Sequence, residues 1–190
     1  MTSSIFAGLI FLGFILPIVA QVNNLQQLYE NQIQKEFFAS NVYLTFAHRL
    51  ATRGVYHGFA NFFFESAEEE REHGMKLLDF YNIRNREISL QQINIDDDLA
   101  SMTDLTKIIE KANILEQDVY NNLIAVRQAA NSDRDYPTAH FIEQQMLEEQ
   151  TTALKYMNDL VARIQRNANN STIVLQMLDQ DLRKKQVKKA

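Results

Sequence analysis

Cysteine and tryptophan are absent from this 190-residue chain, proline occurs twice and glycine five times. Each scarcity excludes something. Without cysteine there is no disulfide and no thiolate metal site, so a bound metal must be held by carboxylate, imidazole, amide or phenol groups. Beyond residue 20 the glycines are Gly54, Gly58 and Gly74 and the only proline is Pro137. Long stretches therefore run without a breaker, which disfavours turn-dense β folds and points to an all-α chain. The length suits one domain with a sizeable core.

Basic charge is scarce outside the C-terminus. The net charge is −5, but Arg183, Lys184, Lys185, Lys188 and Lys189 fall in the last eight residues, leaving −10 on the rest. An acidic body argues against a nucleic-acid-binding face and suits attraction of metal cations. The basic tail reads as a solvated helix end that complements the macrodipole. At the other terminus, Ile5 to Ala20 carries no charge. It is shorter than the roughly 20 residues of a comfortable span and ends in Pro17 to Ala20, a cleavage-like region, so it reads as a signal peptide. The predicted organisation is a leader over 1–20 and one domain over 21–190. The expected location is the secretory lumen or outside the cell, with the cytoplasm as alternative and no membrane association once the leader is removed. Asn169-Asn170-Ser171 and Asn170-Ser171-Thr172 are overlapping glycosylation sequons.

Helical periodicity divides the remainder into four long segments and a short one. The first, about Asn24 to Thr52, carries an inward stripe of Leu25, Leu28, Gln32, Glu36, Ser40, Tyr43, Ala47 and Leu50. The second runs from about His57 to Ile83, with Phe59, Phe63, Ser66, Leu77 and Phe80 inward. Arg84 to Ser101 lacks the period and is long enough to cross the length of a bundle. The third, about Thr103 to Ala130, has Leu105, Ile109, Ala112, Glu116, Val119, Leu123 and Val126, with Ser101 or Thr103 as its cap. The fourth starts at Pro137, a first-turn position, and continues to about Asn167 with Met146, Leu147, Gln150, Leu154, Met157, Val161 and Ile164 inward. A short fifth, Thr172 to Lys185, shows Ile173, Leu175, Met177, Leu178 and Leu182. Short turns make neighbours antiparallel, and the crossover places the third helix parallel to the second.

Each long stripe is interrupted near its middle by polar residues: Glu36, then Glu70 with His73, then Glu116, then Gln150. Glu70 and His73, three apart, share one helix face. Buried carboxylates and an imidazole do not sit in a core without partners. Glu36 and Glu116 each lie about thirteen residues, roughly 20 Å, into their helices, so the groups can meet at one height. A bridging carboxylate, a terminal carboxylate on each side and one His describe a carboxylate-bridged dinuclear iron site with positions open for dioxygen.

The segments Gln34-Lys35-Glu36-Phe37-Phe38-Ala39-Ser40-Asn41-Val42-Tyr43-Leu44, Ser66-Ala67-Glu68-Glu69-Glu70-Arg71-Glu72-His73, Leu115-Glu116, and Phe141-Ile142-Glu143 with Leu147-Glu148-Glu149-Gln150 resemble those of ferritins, from Leu25 to Lys185. The resemblance implies an all-α, ferritin-like four-helix bundle with the long crossover between the second and third helices. It implies Glu36, Glu70 and His73 as ligands of a first iron, with Glu70 bridging, and Glu116 with Gln150 at a weaker second site. Tyr43 falls at the supporting phenol, and Glu69 and Glu149 at carboxylates that shuttle iron. Haem is not expected. The implied activity is a ferroxidase that oxidises Fe(II) to Fe(III) with dioxygen or peroxide and stores it as mineral inside a homo-oligomeric cage of 24 subunits. The alternatives are a non-catalytic iron-carrying or scaffold subunit and, less favoured, a small di-iron oxygenase. Ala153, three after Gln150, stands where oxygenase-like relatives place a second His. Glu65, Glu68, Glu69 and Glu72 resemble a mineral-nucleation patch. His140 beside Glu143 departs from the acidic pair of many animal ferritins.

Overall fold

The computed structural model describes the backbone of residues 5–187 and the side chains of residues 24–169 and 171–184. The side chains of the predicted leader, of Asn170 and of the tail from Lys185 onward lie outside the described residues. The described elements are all helical: α1 (Ile5–Arg53), α2 (His57–Ile83), α3 (Asp97–Ser101), α4 (Leu105–Ser132), α5 (Tyr136–Ile142), a π turn (Glu143–Leu147), α6 (Glu148–Arg166), a 3-10 turn (Ala168–Asn170) and α7 (Ser171–Val187). Among the described residues, no helix is long and apolar enough to cross a membrane.

α1 and α2 lie antiparallel: Tyr29 Oη donates to the Leu77 carbonyl at 3.0 Å and Ser40 Oγ to the Ala67 carbonyl at 2.7 Å. Their tight approach requires Gly74, where a Cβ would stand 2.9 Å from the Phe37 ring. The crossover then runs back along α1. Gln34 treats Gln91 as a strand partner, donating to its carbonyl at 3.2 Å and accepting its N–H at 3.3 Å. Further along, Arg49 Nε donates to the Ala100 carbonyl at 2.9 Å. The expected long connection thus spans the bundle, and it contains the short helix α3, which aperiodic polar sequence did not reveal. α4 descends antiparallel to α1 and parallel to α2. Its cap is neither Ser101 nor Thr103 but Asp104, whose Oδ1 accepts from Thr106 N at 2.9 Å and Lys107 N at 3.2 Å.

The expected continuous fourth helix is broken into α5, the π turn and α6. Ile142, Met146 and Gln150 are all buried at four-residue spacing. On a regular helix that spacing drifts by about 40° per step, and a wide turn absorbs the drift. The fifth helix, α7, docks on the start of α2. Buried Asp179 accepts Phe59 N on Oδ1 at 3.0 Å and Arg183 Nε on Oδ2 at 2.9 Å. Gly58 permits the approach, since a Cβ there would meet the Asp179 carbonyl oxygen at 2.1 Å. Leu175, Leu178 and Leu182 face inward, whereas Ile173 and Met177 are exposed. Those two, four residues apart, share a different face from the three leucines.

The apolar core is in two halves. One gathers Phe46, Phe59, Phe63, Ile109, Leu160 and Leu178. The other gathers Tyr29, Ile33, Leu77, Tyr81, Leu123 and Met146. The buried polar residues Glu36, Glu70, His73, Glu116 and Gln150 sit between the two sets along α1, α2, α4 and α6, with buried Gln32 one turn away beside Ile33.

Candidate metal centre

Regular helices deliver each polar side chain to this layer from a stripe that is otherwise apolar. Glu36 comes from α1, Glu70 and His73 from consecutive turns of α2, Glu116 from α4 and Gln150 from the first turn of α6 after the π turn. Glu36 is wholly buried, and Glu70, Glu116 and Gln150 are nearly so. Glu36, Glu70 and His73 converge, with one ligand-capable atom from each lying within 4.8 Å of the others. His73 Nδ1 stands 3.7 Å from Glu70 Oε2.

Glu36 and His73 are each tied down on one side and, among the described residues, without a partner on the other. Glu36 Oε1 accepts Gln32 Nε2 at 2.7 Å, while its Oε2 meets no donor. His73 Nε2 lies 3.0 Å from Glu149 Oε2, while Nδ1 has no partner. A carboxylate can only accept, so Nε2 carries a hydrogen, and in the neutral imidazole Nδ1 then presents its lone pair. Glu70 Oε2 is also without a donor. Three buried residues that converge, each with an atom lacking a partner among the described residues, suit a cation.

The electrostatics agree. Burial, then the adjacent Glu70 charge, pushes Glu36 well above the usual carboxylate range. Burial also pushes Glu70 up to about 8, with Glu116 and Glu69 adding to the rise and the shared hydrogen bond with Glu36 opposing it. Both shifts favour the protonated acids, and a bound cation would replace those protons.

The other two expected ligands are arranged differently. Glu116 accepts from Tyr43 Oη on Oε1 at 2.6 Å and, in a very short contact, from Gln150 Nε2 on Oε2. Gln150 Nε2 also reaches the Glu116 backbone carbonyl at 3.3 Å. Burial raises Glu116, and the hydrogen bonds from Tyr43 and Gln150 counter the rise. Burial first and the Glu116 charge second hold the Tyr43 phenol well above its ordinary range. The structure thus brings Glu36, Glu70 and His73 together as bare groups, and Glu116, Gln150 and Tyr43 as a closed hydrogen-bonded set. Glu70, His73 and Glu116 line one cavity of about 630 Å³, together with Glu69, Glu149 and Tyr156.

The surrounding acids divide. Glu69 and Glu149 line that cavity beside Glu72. Glu149 is also the partner of His73 and of Lys76, whose Nζ lies 3.4 Å away. Burial would raise Glu149, but the His73 hydrogen bond and the Lys76 charge outweigh it and hold the carboxyl below its usual range. Glu68 and Glu72 line a shallower groove on α2 with Arg71, Lys76 and Asp79, and Glu65 lines neither. Glu143 accepts Arg127 at 3.2 Å, and His140 is exposed. Two residues that sequence reasoning gave no part in the site bear on it directly. Gln32, read only as a stripe member, binds Glu36, and Asn122 binds Gln32 at 2.7 Å. The four-residue step from Gln32 to Glu36 was the available signal.

An antiparallel four-helix bundle with one end-to-end crossover, and acid groups and an imidazole at its centre, defines the ferritin-like class. Residues 26–167 match the family described as Ferritin-like domain. The chain is 31% identical over 155 residues to a ferritin of Pacifastacus leniusculus, covering 81% of this chain and 84% of that one. It is also 31% identical to a bacterial non-heme ferritin of Staphylococcus haemolyticus, covering 71% and 83%. A chloroplastic ferritin of Phaseolus vulgaris is 34% identical over 160 residues, 78% of this chain; there the chain spans 63% of the relative's length. Two crystal structures of PmFTN variants soaked in iron superpose with TM-scores of 0.74 and 0.75 at 26% and 25% identity. They cover 82% and 83% of this chain and 97% of theirs. The chain belongs to the ferritin family.

Proposed function

We propose that this chain is a ferroxidase subunit of an iron store, with Fe(II) as its substrate and Glu36, Glu70, His73, Glu116 and Gln150 as the iron-holding residues. The observation that carries this reading is the convergence of Glu36, Glu70 and His73 in a buried layer, each with an atom that meets no hydrogen-bond partner among the described residues. Hard oxygen donors and one imidazole suit iron, and oxygen-rich ligation favours the ferric state. Two Fe(II) ions give up two electrons, which with two protons take dioxygen to hydrogen peroxide or peroxide to water. Glu70, shared between the Glu36–His73 side and the Glu116 side, is the bridging group. Glu116 and Gln150 must part from each other before they hold the second iron, and a neutral amide then holds it loosely, favouring release into storage over a resident cofactor.

Family membership supports iron storage, and the reading extends it to a homo-oligomeric cage of 24 copies around a ferric mineral, without haem. The domain is taken as 21–190 behind a cleaved leader at 1–20, with delivery to a secretory compartment. N-terminal sequencing of the natural protein tests the leader: a start at Gln21 supports it, and a retained Met1 refutes it. Aerobic addition of Fe(II) to the purified assembly tests the activity. An amber mineral inside a large particle is expected, with oxidation slowed on the order of 100-fold or more in the Glu70→Ala, His73→Ala double variant. An unchanged rate in that variant refutes the site. The closed Glu116–Gln150–Tyr43 set favours a second reading, a subunit that carries one iron per chain and oxidises slowly. Binding of two Fe(II) per chain under anaerobic conditions excludes it.

A further inference from the structure

Gln32 and Asn122 are not among the residues given a role above, yet they form a chain of amides that ends on Glu36. Gln32 is fully buried on α1, one turn before Glu36. Its Nε2 donates to Glu36 Oε1 at 2.7 Å. Asn122, on α4, donates through Nδ2 to Gln32 Oε1 at 2.7 Å and to the Leu28 backbone carbonyl at 3.1 Å.

The order of atoms in this chain is forced. A backbone carbonyl only accepts, so the Asn122 amide must present its nitrogen to α1. That nitrogen carries two hydrogens and supplies both bonds. The Gln32 atom facing it must then be oxygen, and the Gln32 nitrogen must face Glu36. Asn122 therefore fixes the rotation of the Gln32 amide, and Gln32 fixes which Glu36 oxygen is occupied.

We propose that Gln32, locked by Asn122, is a positioning residue that ties down Glu36 Oε1 so that Oε2 is the oxygen offered to a cation. The clamp makes Glu36 a one-oxygen ligand of fixed direction. It also sets the affinity of the Glu36–Glu70–His73 half, because a ligand held before binding need not be ordered by it. This inference rests on the reading of that trio as a cation site.

Anaerobic titration of the full-length assembly with Co(II), which dioxygen chemistry does not consume, separates the two. The component of Co(II) binding that Glu36→Ala abolishes defines the site. If the unaltered protein has no such component, the site reading fails and the clamp with it. If the component is present, Gln32→Leu should weaken it on the order of tenfold and alter its visible absorption, because Glu36 can then turn. The Asn122 pair carries the sharper test. Asn122→Ala leaves Gln32 free but still able to donate, and should cost less. Asn122→Asp puts acceptors where the donor was, so the Gln32 amide turns its nitrogen to Asp and its oxygen to Glu36, acceptor against acceptor. The clamp therefore requires Asn122→Asp to bind Co(II) more weakly than Asn122→Ala, although Asp matches Asn in size; mere packing predicts the opposite order. Unchanged affinity in Gln32→Leu, or Asn122→Asp binding as well as Asn122→Ala, overturns the proposal. Helicity and particle size confirm folding, and the Asn122 pair, at a half-buried position, still decides the matter if Gln32→Leu does not fold.

Discussion

Asp135 and Glu36 are both buried acids, and they are built in opposite ways. Asp135 caps α5 and meets the end of α2 where the crossover begins. Its Oδ2 accepts from Arg84 at 2.8 Å, Arg86 at 3.1 Å and Thr138 Oγ1 at 2.9 Å, and its Oδ1 accepts from Thr138 N at 3.3 Å. Both guanidinium groups are held in place by rings, Arg84 over Phe80 and Arg86 over Tyr81. Burial would raise the Asp135 carboxyl, but the hydrogen bonds from Arg84 and Thr138 win and hold it below its usual range. Asp179 likewise accepts hydrogen bonds from its own chain, from Phe59 N and Arg183 Nε. In the middle layer, among the described residues, no guanidinium or ammonium group reaches Glu36 Oε2 or Glu70 Oε2. Where the chain uses an acid to hold its fold, it supplies the positive partner itself. Where it does not, the proposed partner is a cation from outside.

The difference should appear first in stability. Asp135→Ala strands two guanidinium groups and should cost about 3–5 kcal/mol, read as a large fall in the thermal midpoint of the metal-free protein. Glu70→Gln should go the other way in chelator. A folded carboxyl raised from its ordinary 4.5 to about 8 binds protons that the unfolded chain does not. Its contribution to stability is therefore complete below its ordinary value and lost as pH rises through the folded value. Glu70→Gln removes that loss, so its gain in midpoint over the unaltered chain should be larger at pH of about 8.5 than at about 5.5. Asp135 has the opposite sign: its contribution is present above the ordinary aspartate value and lost only as pH falls through the lowered one. If Glu70→Gln destabilises the metal-free protein at every pH, the middle layer is a structural network.

A smaller effect separates the clusters by cation affinity. Because a cation must displace the proton that Glu70 holds below about 8, Co(II) affinity should rise by roughly tenfold per pH unit below that value, and more steeply wherever Glu36 is also protonated. A flat profile from about pH 6 to 9 would contradict the raised carboxyls.

Much of this contrast was legible in the chain, and the unread part has a common cause. Glu36, Glu70, Glu116 and Gln150 each break an apolar stripe, so periodicity alone placed them inward at one level, and burial follows. The crossover was legible as a stretch without period. What periodicity does not carry is which atom meets which. Gln32 and Asn122 are 90 residues apart and their bond depends on the rotation of an amide. Arg84 and Asp135, 51 apart, look like an ordinary surface charge and a turn residue until α2 and α5 meet. The π turn escaped for another reason: four-residue spacing over Ile142, Met146 and Gln150 is compatible with an ordinary helix to within a drift that only packing makes costly.

Glu149 offers the smallest and most discriminating effect, because it stands between the two kinds of acid. It has a positive partner, Lys76, like Asp135, yet it touches His73, a member of the bare trio. Its side chain is 58% exposed, so the Lys76 pair is worth less than about 1 kcal/mol. Glu149→Gln keeps an oxygen to accept from His73 Nε2 and removes only the charge. It should leave the thermal midpoint nearly unchanged and lower Co(II) affinity by less than about tenfold. Glu149→Ala should lower the affinity further, since the imidazole loses the acceptor that keeps Nδ1 bare. Equal affinities for the two variants would show that His73 is oriented by its packing and not by Glu149. A fall in midpoint as large as that of Asp135→Ala would place Glu149 with the acids that hold the fold, and the division between the two clusters would then no longer follow from which of them carries its own cation.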